Sequence, residues 1–331
     1  MTFSDKDNTQ VSKLNKNELI EYKEALSEYF IDYRDTLKLD EKIQFGIEIE
    51  YDKFPKERVD DFIAIRYPKW ESKFETSLNN GGEVTSPILN DNKDSWESIR
   101  EVCDFLRIAG AQESEEAGAH IHVGADIMGI NIYRWIKLVK LIMAYENILY
   151  RYSAGEYTRL RDGFSSVCYP FALDLLEDYK CIKNLGVSNQ TVYKLLTELL
   201  NKSRFQSINF RNVEQYDITD RMEKNTIEFR FPNATLEPII WQNNINTFVR
   251  FLLATRKELD EEYIEYRMNC LGDHFDIDFY DYIDEEGALH FADQIFDNDL
   301  DKAAFLRQYY KDFSNIDPYT QYKLTKRFIN N

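Results

Sequence analysis

Glycine and proline are scarce in this chain, 12 and 7 among 331 residues, and no stretch rich in either marks a flexible linker. No internal repeat or low-complexity tract appears, which excludes solenoid and propeller arrays. One compact body with appended helices is the expected organisation. Cysteine is sparse too: Cys103, Cys168, Cys181 and Cys270 lie far apart, without the paired spacing of a zinc site and too few for a disulfide framework. The phosphate loop GxxxxGK and the dinucleotide fingerprint GxGxxG are both missing. No apolar run approaches the roughly 18 residues of a membrane span. The opening MTFSDKDNTQ is polar where a secretory signal needs an apolar core, so a cytoplasmic location is expected. Positive charge is in deficit, 41 basic against 59 acidic side chains for a net charge of -18. Such a field repels nucleic-acid backbones and anionic lipid, so neither nucleic acid nor a membrane is an expected partner.

What is abundant is apolar and aromatic side chain, 43% and 15% of residues, enough for one large core. Residues 12–38 place Leu14, Leu19, Tyr22, Leu26, Tyr29, Phe30 and Tyr33 at helical spacing, with Asn15 and Glu18 as a capping box. QFGIEIEY at 44–51 switches to period two, as a half-buried strand does. Strand-like pieces follow at WESKFETSL, GEVTSPIL, AHIHVGA, SINFR and NTIEFRF. Helices are predicted from Asp94 to about Gly110, over 131–152, near 188–202, and from Pro238 onward. Strands arriving next to one another predict an α+β fold with an antiparallel or mixed sheet. Residues 268–301 hold eleven acidic side chains and no Lys or Arg, read as a charged surface outside the core. The expected divisions are an N-terminal helical extension over 1–40, a catalytic domain over 41–268 and an acidic, aromatic C-terminal region over 269–331.

Four short segments carry the candidate chemistry. On a strand, Glu48 and Glu50 of GIEIEY share one face while Ile47, Ile49 and Tyr51 take the other. GAHIHVG repeats the pattern with His120 and His122, half of the four histidines. KFETSLNNGGEVT offers Lys73, Glu75 and Ser77 on one face, then Glu83 and Thr85 after a glycine turn. NTIEFRF puts Glu228 and Arg230 side by side, backed by Ile227, Phe229 and Phe231. Any one of these reads equally well as a solvated strand face. Four together, each anchored by apolar neighbours, point to one site. A floor of Glu48, Glu50, Glu83, Glu228 and either His120 or His122 supplies mainly oxygen ligands, suiting Mg²⁺ or Mn²⁺ better than zinc. With Arg230 beside it, and Arg159, Arg161 and Arg211 near in sequence, the floor suits a metal-bridged polyphosphate. DNDLDK at 297–302 resembles the start of a calcium loop but has Lys302 at the turn-glycine position, and is rejected.

The ordered set FGIEIE, GGEVTSP, AHIHVG and TIEFR resembles the amidoligases, relatives of glutamine synthetase and glutamate-cysteine ligase, over about residues 43–255. The resemblance implies a glutamine-synthetase type of sheet binding ATP with Mg²⁺ (or Mn²⁺). It also implies a two-step reaction, in which a substrate carboxylate becomes an acyl phosphate and an amine displaces the phosphate to form an amide or peptide-like bond. Carried over by position, Glu48, Glu50, Glu83, Glu228 and one of His120 and His122 are metal ligands. Glu75 stands where relatives often have a further acid. Arg230 contacts phosphate, with Lys73 and Arg211 as further nucleotide contacts, and Arg159 and Arg161 resemble the family's arginine after the central helix. The implied partners are a small-molecule or peptide carboxylate and an amine, with a homo-oligomer left open. Two other readings use the same residues: a guanidino-kinase-like phosphotransferase, and a metal-dependent hydrolase or silent nucleotide-binding protein.

Overall fold

A computed structural model of the chain describes residues 2–155, 167–183, 198–213, 225–271 and 283–312, apart from 76, 79 and 115. Its centre is a seven-stranded sheet of β1 (Gln44–Tyr51), β2 (Glu71–Lys73), β3 (Gly82–Thr85), β4 (Leu89–Asn90), β5 (Ala119–Gly124), β6 (Ile208–Asn209) and β7 (Thr226–Phe229). The order is β2-β3-β1-β5-β7-β6, with β4 also paired to β1, and every pairing is antiparallel. The helices are α1 (Lys16–Glu28), α2 (Lys56–Arg66), α3 (Lys93–Ala109), α4 (Ile132–Ser153), α5 (Ala172–Lys183), α6 (Pro238–Ala254), α7 (Glu261–Leu271), α8 (Glu285–Ile295) and α9 (Asp299–Tyr310). The fold is therefore α+β, as the clustering of strands in the sequence predicts.

Period-two alternation explains which face of the sheet is covered. Ile47, Ile49, Val84, Ala119, Ile121, Val123, Ile227 and Phe229 are buried. Helices α3 and α6 close over them: Trp96 stacks on Phe45 at 5.2 Å and Phe248 on Phe229 at 4.4 Å between ring centroids. The opposite face carries the acidic and imidazole side chains. Two glycines shape this frame. Gly110 ends α3 in the left-handed region at φ 96°, where a side chain costs strain. At Gly82 a Cβ would lie 2.8 Å from the Lys73 carbonyl oxygen and from the Tyr51 hydroxyl, so the β2–β3 approach requires its absence.

Three expectations need correcting. The N-terminal helix ends at Glu28 and not near 38, although its capping box forms as expected, with Asn15 accepting from Glu18 N and Glu18 from Asn15 N. Beyond it the backbone is held by other elements: Arg34 N donates to Gln242, and Leu37 N and Leu39 N to Asp91, which replaces the helical ladder. Strand β2 stops at Lys73, so Glu75 and Ser77 do not share its face; Glu75 instead accepts from Ser77 N and Oγ in the turn. The acidic stretch is not an outer surface where it is described. Helices α8 and α9 bury Phe291, Ile295, Phe305 and Leu306 in the same apolar cluster as Ile49 and, at the other end of the chain, Phe3 and Val11. Three of their acids are partnered in place: Asp293 pairs with Lys302 at 2.7 Å, Asp301 with Arg34 at 2.8 Å, and Asp299 accepts from Thr9 N at 2.6 Å. The helix expected near 188–202 lies mostly outside the described residues.

Candidate active site

The register brings the separate motifs together. Glu48 on β1 is opposite His120 on β5 and Thr85 on β3; Glu50 is opposite Glu83; His122 is opposite Glu228 on β7; and Glu83 faces Lys73 on β2. Residues directly across an antiparallel pair have touching side chains, so four segments spread over some 180 residues of sequence meet on the face opposite α3 and α6. Glu48 is the hub: its Oε2 lies 2.8 Å from His120 Nδ1 and its Oε1 3.2 Å from His122 Nε2. Oε1 of Glu228 is 3.6 Å from His120 Nδ1 and accepts from Arg230 at 2.5 Å. Lys73 Nζ donates to Thr85 Oγ1 at 2.9 Å and stands 3.5 Å from Glu83.

Ligand atoms of Glu48, His122 and Glu228 lie within 4.8 Å of one another, and so do those of Glu48, Glu83 and His120. The two trios share Glu48, so between them these residues would hold one or two ions. Electrostatics fit that use. Burial works against ionising Glu48, yet the hydrogen bonds from His120 and His122 hold its carboxyl well below the usual range. Burial also works against Glu228, and is outweighed by the attraction of His120, Arg230 and His122, leaving it lowered. Glu83 is pushed up, first by burial and then by repulsion from Glu48, despite Thr85 and Lys73. A hard divalent cation relieves that repulsion. The donor set, mainly carboxylate with imidazole, fits Mg²⁺ or Mn²⁺.

Other expected site residues stand apart. Glu50 is buried on the same face but belongs to neither trio; its Oε2 accepts from Gly118 N at 2.5 Å. Glu75 is in the turn after β2, and Arg211 is exposed just past β6. Arg159 and Arg161 lie outside the described residues. Three contacts were not read from the sequence. Asn209 Nδ2 donates to Glu228 Oε2 at 2.5 Å, and the Arg230 guanidinium also reaches the Val167 carbonyl at 3.4 Å. Thr226 Oγ1 sits 3.4 Å from His122 Nδ1, backing the imidazole on the side away from Glu48. The alternation Ser207-Ile208-Asn209-Phe210-Arg211 carries the same signal as the four motifs, with Ile208 and Phe210 buried.

An antiparallel sheet with one helix-covered face and one face of clustered carboxylates, imidazoles and an arginine frames a candidate metal site. The chain belongs to the amidoligase family: the family model described as "Putative amidoligase enzyme" matches residues 69–252, more than half of the chain. That span includes Glu83, His120, His122, Glu228 and Arg230, and begins after β1. The family is described as one of amidoligase enzymes. No curated protein matches the sequence. Among solved structures it is similar to a bifunctional glutathione synthetase from Pasteurella multocida, at 12% identity and a TM-score of 0.39, over 70% of this chain and 40% of that one. A likeness so slight adds nothing to the argument.

Proposed function

We propose that this chain is an ATP- and Mg²⁺-dependent (or Mn²⁺-dependent) carboxylate-amine ligase, working on a glutamine-synthetase type of sheet through an acyl phosphate. The observation that carries this is the meeting of Glu48, Glu83, Glu228, His120 and His122 on one sheet face with Arg230 beside them. A substrate carboxylate oxygen attacks the γ-phosphorus and ADP leaves. The amine nitrogen then attacks the acyl carbon, phosphate departs, and the nitrogen gives up a proton. Bound divalent metal supplies charge neutralisation for the transferring phosphoryl group.

This chain's residues do the holding. Glu48, Glu83, Glu228 and the two histidines would hold the ions, and Glu50 would secure the rim through Gly118. Arg230 aims its guanidinium at phosphate, where a planar fork matches the oxygens. Lys73 and Arg211 approach the nucleotide from the two ends of the sheet, and Arg159 and Arg161 are assigned to phosphate or substrate carboxylate. Residues 41–268 are assigned to catalysis, with 1–40 and 269–331 as flanking regions.

The test is stoichiometry. With Mg²⁺ and ATP, phosphate release is measured across a panel of small-molecule and peptide acids and amines. A ligase releases phosphate only when both acid and amine are present. Accumulation of a stable phosphorylated guanidine without amide, or hydrolysis without ATP, would replace this reading with a phosphotransferase or a hydrolase.

A further inference from the structure

Strand β6 is two residues long and lies at the edge of the sheet, yet it is bound on both sides. Ser207, just before it, accepts from Arg230 N at 2.9 Å through its carbonyl, and its hydroxyl donates to Glu146 at 2.6 Å. Glu146, buried within α4, also accepts from Phe171 N at 3.1 Å and Ala172 N at 2.9 Å, at the start of α5. A charged group so placed suits a helix N-terminus and does not shift easily. What this bracing delivers to the sheet face is Asn209. It is paired directly with Glu228 in the register and is 6% exposed, as is Glu228.

The consequence for Glu228 is geometric. Asn209 grips one oxygen at 2.5 Å and Arg230 the other at 2.5 Å. A carboxylate held by donors on both oxygens cannot turn about its terminal bond, so its remaining lone pairs stay aimed toward Glu48 and His122. An amide is the suitable donor here. It adds no positive charge, whereas a second Arg or Lys on Glu228 would compete with a metal. The Asn209 side chain is itself locked, because its oxygen accepts from Arg211 N at 3.0 Å, which fixes the amide with nitrogen toward Glu228.

We propose that Asn209 is a positioning residue for metal binding: it orients the Glu228 carboxylate toward the ion bound with Glu48 and His122. This rests on the metal-site reading above. Partners behind a metal ligand are worth about 10–100-fold in affinity.

The experiment is Mn²⁺ titration of the full chain, with free Mn²⁺ followed by its paramagnetic resonance signal and folding checked by thermal melts. Asn209→Ala is expected to weaken Mn²⁺ binding about 10-fold or more, with a melt like that of the parent. Asn209→Leu, which restores volume without a donor, is expected to show the same loss, so a collapsed cavity is not the cause. In a Glu228→Gln background, Asn209→Ala is expected to make no further difference. Parent-like affinity in folded Asn209→Ala or Asn209→Leu, alongside weakened binding in Glu228→Gln, overturns the role of Asn209 and leaves the metal site standing. Failure of the parent to bind Mn²⁺, or Glu228→Gln binding as the parent does, overturns the metal site and this inference with it.

Discussion

At the seam where residues 9–12 pack on α8 and α9, Asp293 lies 2.7 Å from Lys302 with both side chains almost wholly buried, and it also accepts from Val11 N and Ser12 N at 3.0 and 2.8 Å. Asp299 takes Thr9 N and its hydroxyl, and Asp301 takes Arg34. On the sheet face, Glu48 and Glu83 share a neighbourhood in which Glu48 raises the Glu83 carboxyl, and Lys73 stands at 3.5 Å. Both regions bury acids. At the seam Asp293 and Asp301 meet cations and Asp299 meets an N–H and a hydroxyl donor, which is how a structural charge is made tolerable. On the sheet the acids are left partly against each other, which costs stability unless a cation arrives. Buried charge alone does not mark a site; incompletely balanced buried charge does.

Substitutions that cross the two regions give opposite signatures. The largest expected effect is on activity: Glu48→Gln and Glu228→Gln each remove a charge aimed at metal and are expected to lower turnover by about 1000-fold or more. Both variants stay folded by circular dichroism, with a lower urea midpoint, because each lost carboxylate is one the fold holds below its usual range. Lys302→Met reverses the pattern. It strands Asp293 without its cation and is expected to cost about 3–5 kcal/mol, while Mn²⁺ affinity of the protein that remains folded is unchanged. A loss of metal affinity there would join the regions that the comparison separates.

Metal itself is expected to act next in size. An ion that binds only the folded state at about 100 times its Kd adds about 2.7 kcal/mol. A melt with Mn²⁺ and again after chelation measures this, and Glu48→Gln is expected to abolish it. Smaller still is Glu83→Gln. Because the folded carboxyl titrates above its unfolded value, ionising it at neutral pH opposes folding, so its removal is expected to stabilise the metal-free protein by about 1 kcal/mol or less. The same change weakens Mn²⁺ binding. At the start of α8, Asp284 behaves in the other direction. Burial pushes its carboxyl up, but Arg267 at 2.8 Å outweighs this and leaves it lowered. A lowered acid gives stability that is complete above its unfolded value of about 3.9 and is lost as pH falls through the folded value. Asp284→Asn is expected to flatten that acid limb in melts taken from pH 5 downward, roughly the range over which paired carboxylates titrate.

How much of this was readable in the sequence follows the same division. Period-two alternation showed which side chains share a face of β1, β5 and β7, since side-chain direction on a strand is local. The capping box at Asn15 and the end of α3 at Gly110 were equally local. Alternation says nothing about which strand lies beside which, so the order β2-β3-β1-β5-β7-β6 and the pairing of Asn209 with Glu228 were not legible. Nor was the burial of the acidic C-terminal helices. An Asp bound to Thr9 or Lys302 looks in sequence like one bound to water, and the Thr9 partner of Asp299 is 290 residues away. Period two continues in sequence through Glu75 and Ser77, while β2 gives way to a turn after Lys73, so Glu75 leaves the face that its spacing predicts.

The most direct measurement of the central claim is thermal unfolding with ATP, with and without Mg²⁺, in the parent and in Glu48→Gln. A rise in melting temperature with ATP that requires Mg²⁺ and vanishes in Glu48→Gln is the predicted result. No rise with any nucleotide, or a rise indifferent to Mg²⁺ and to Glu48, would contradict a metal-nucleotide site on this sheet face.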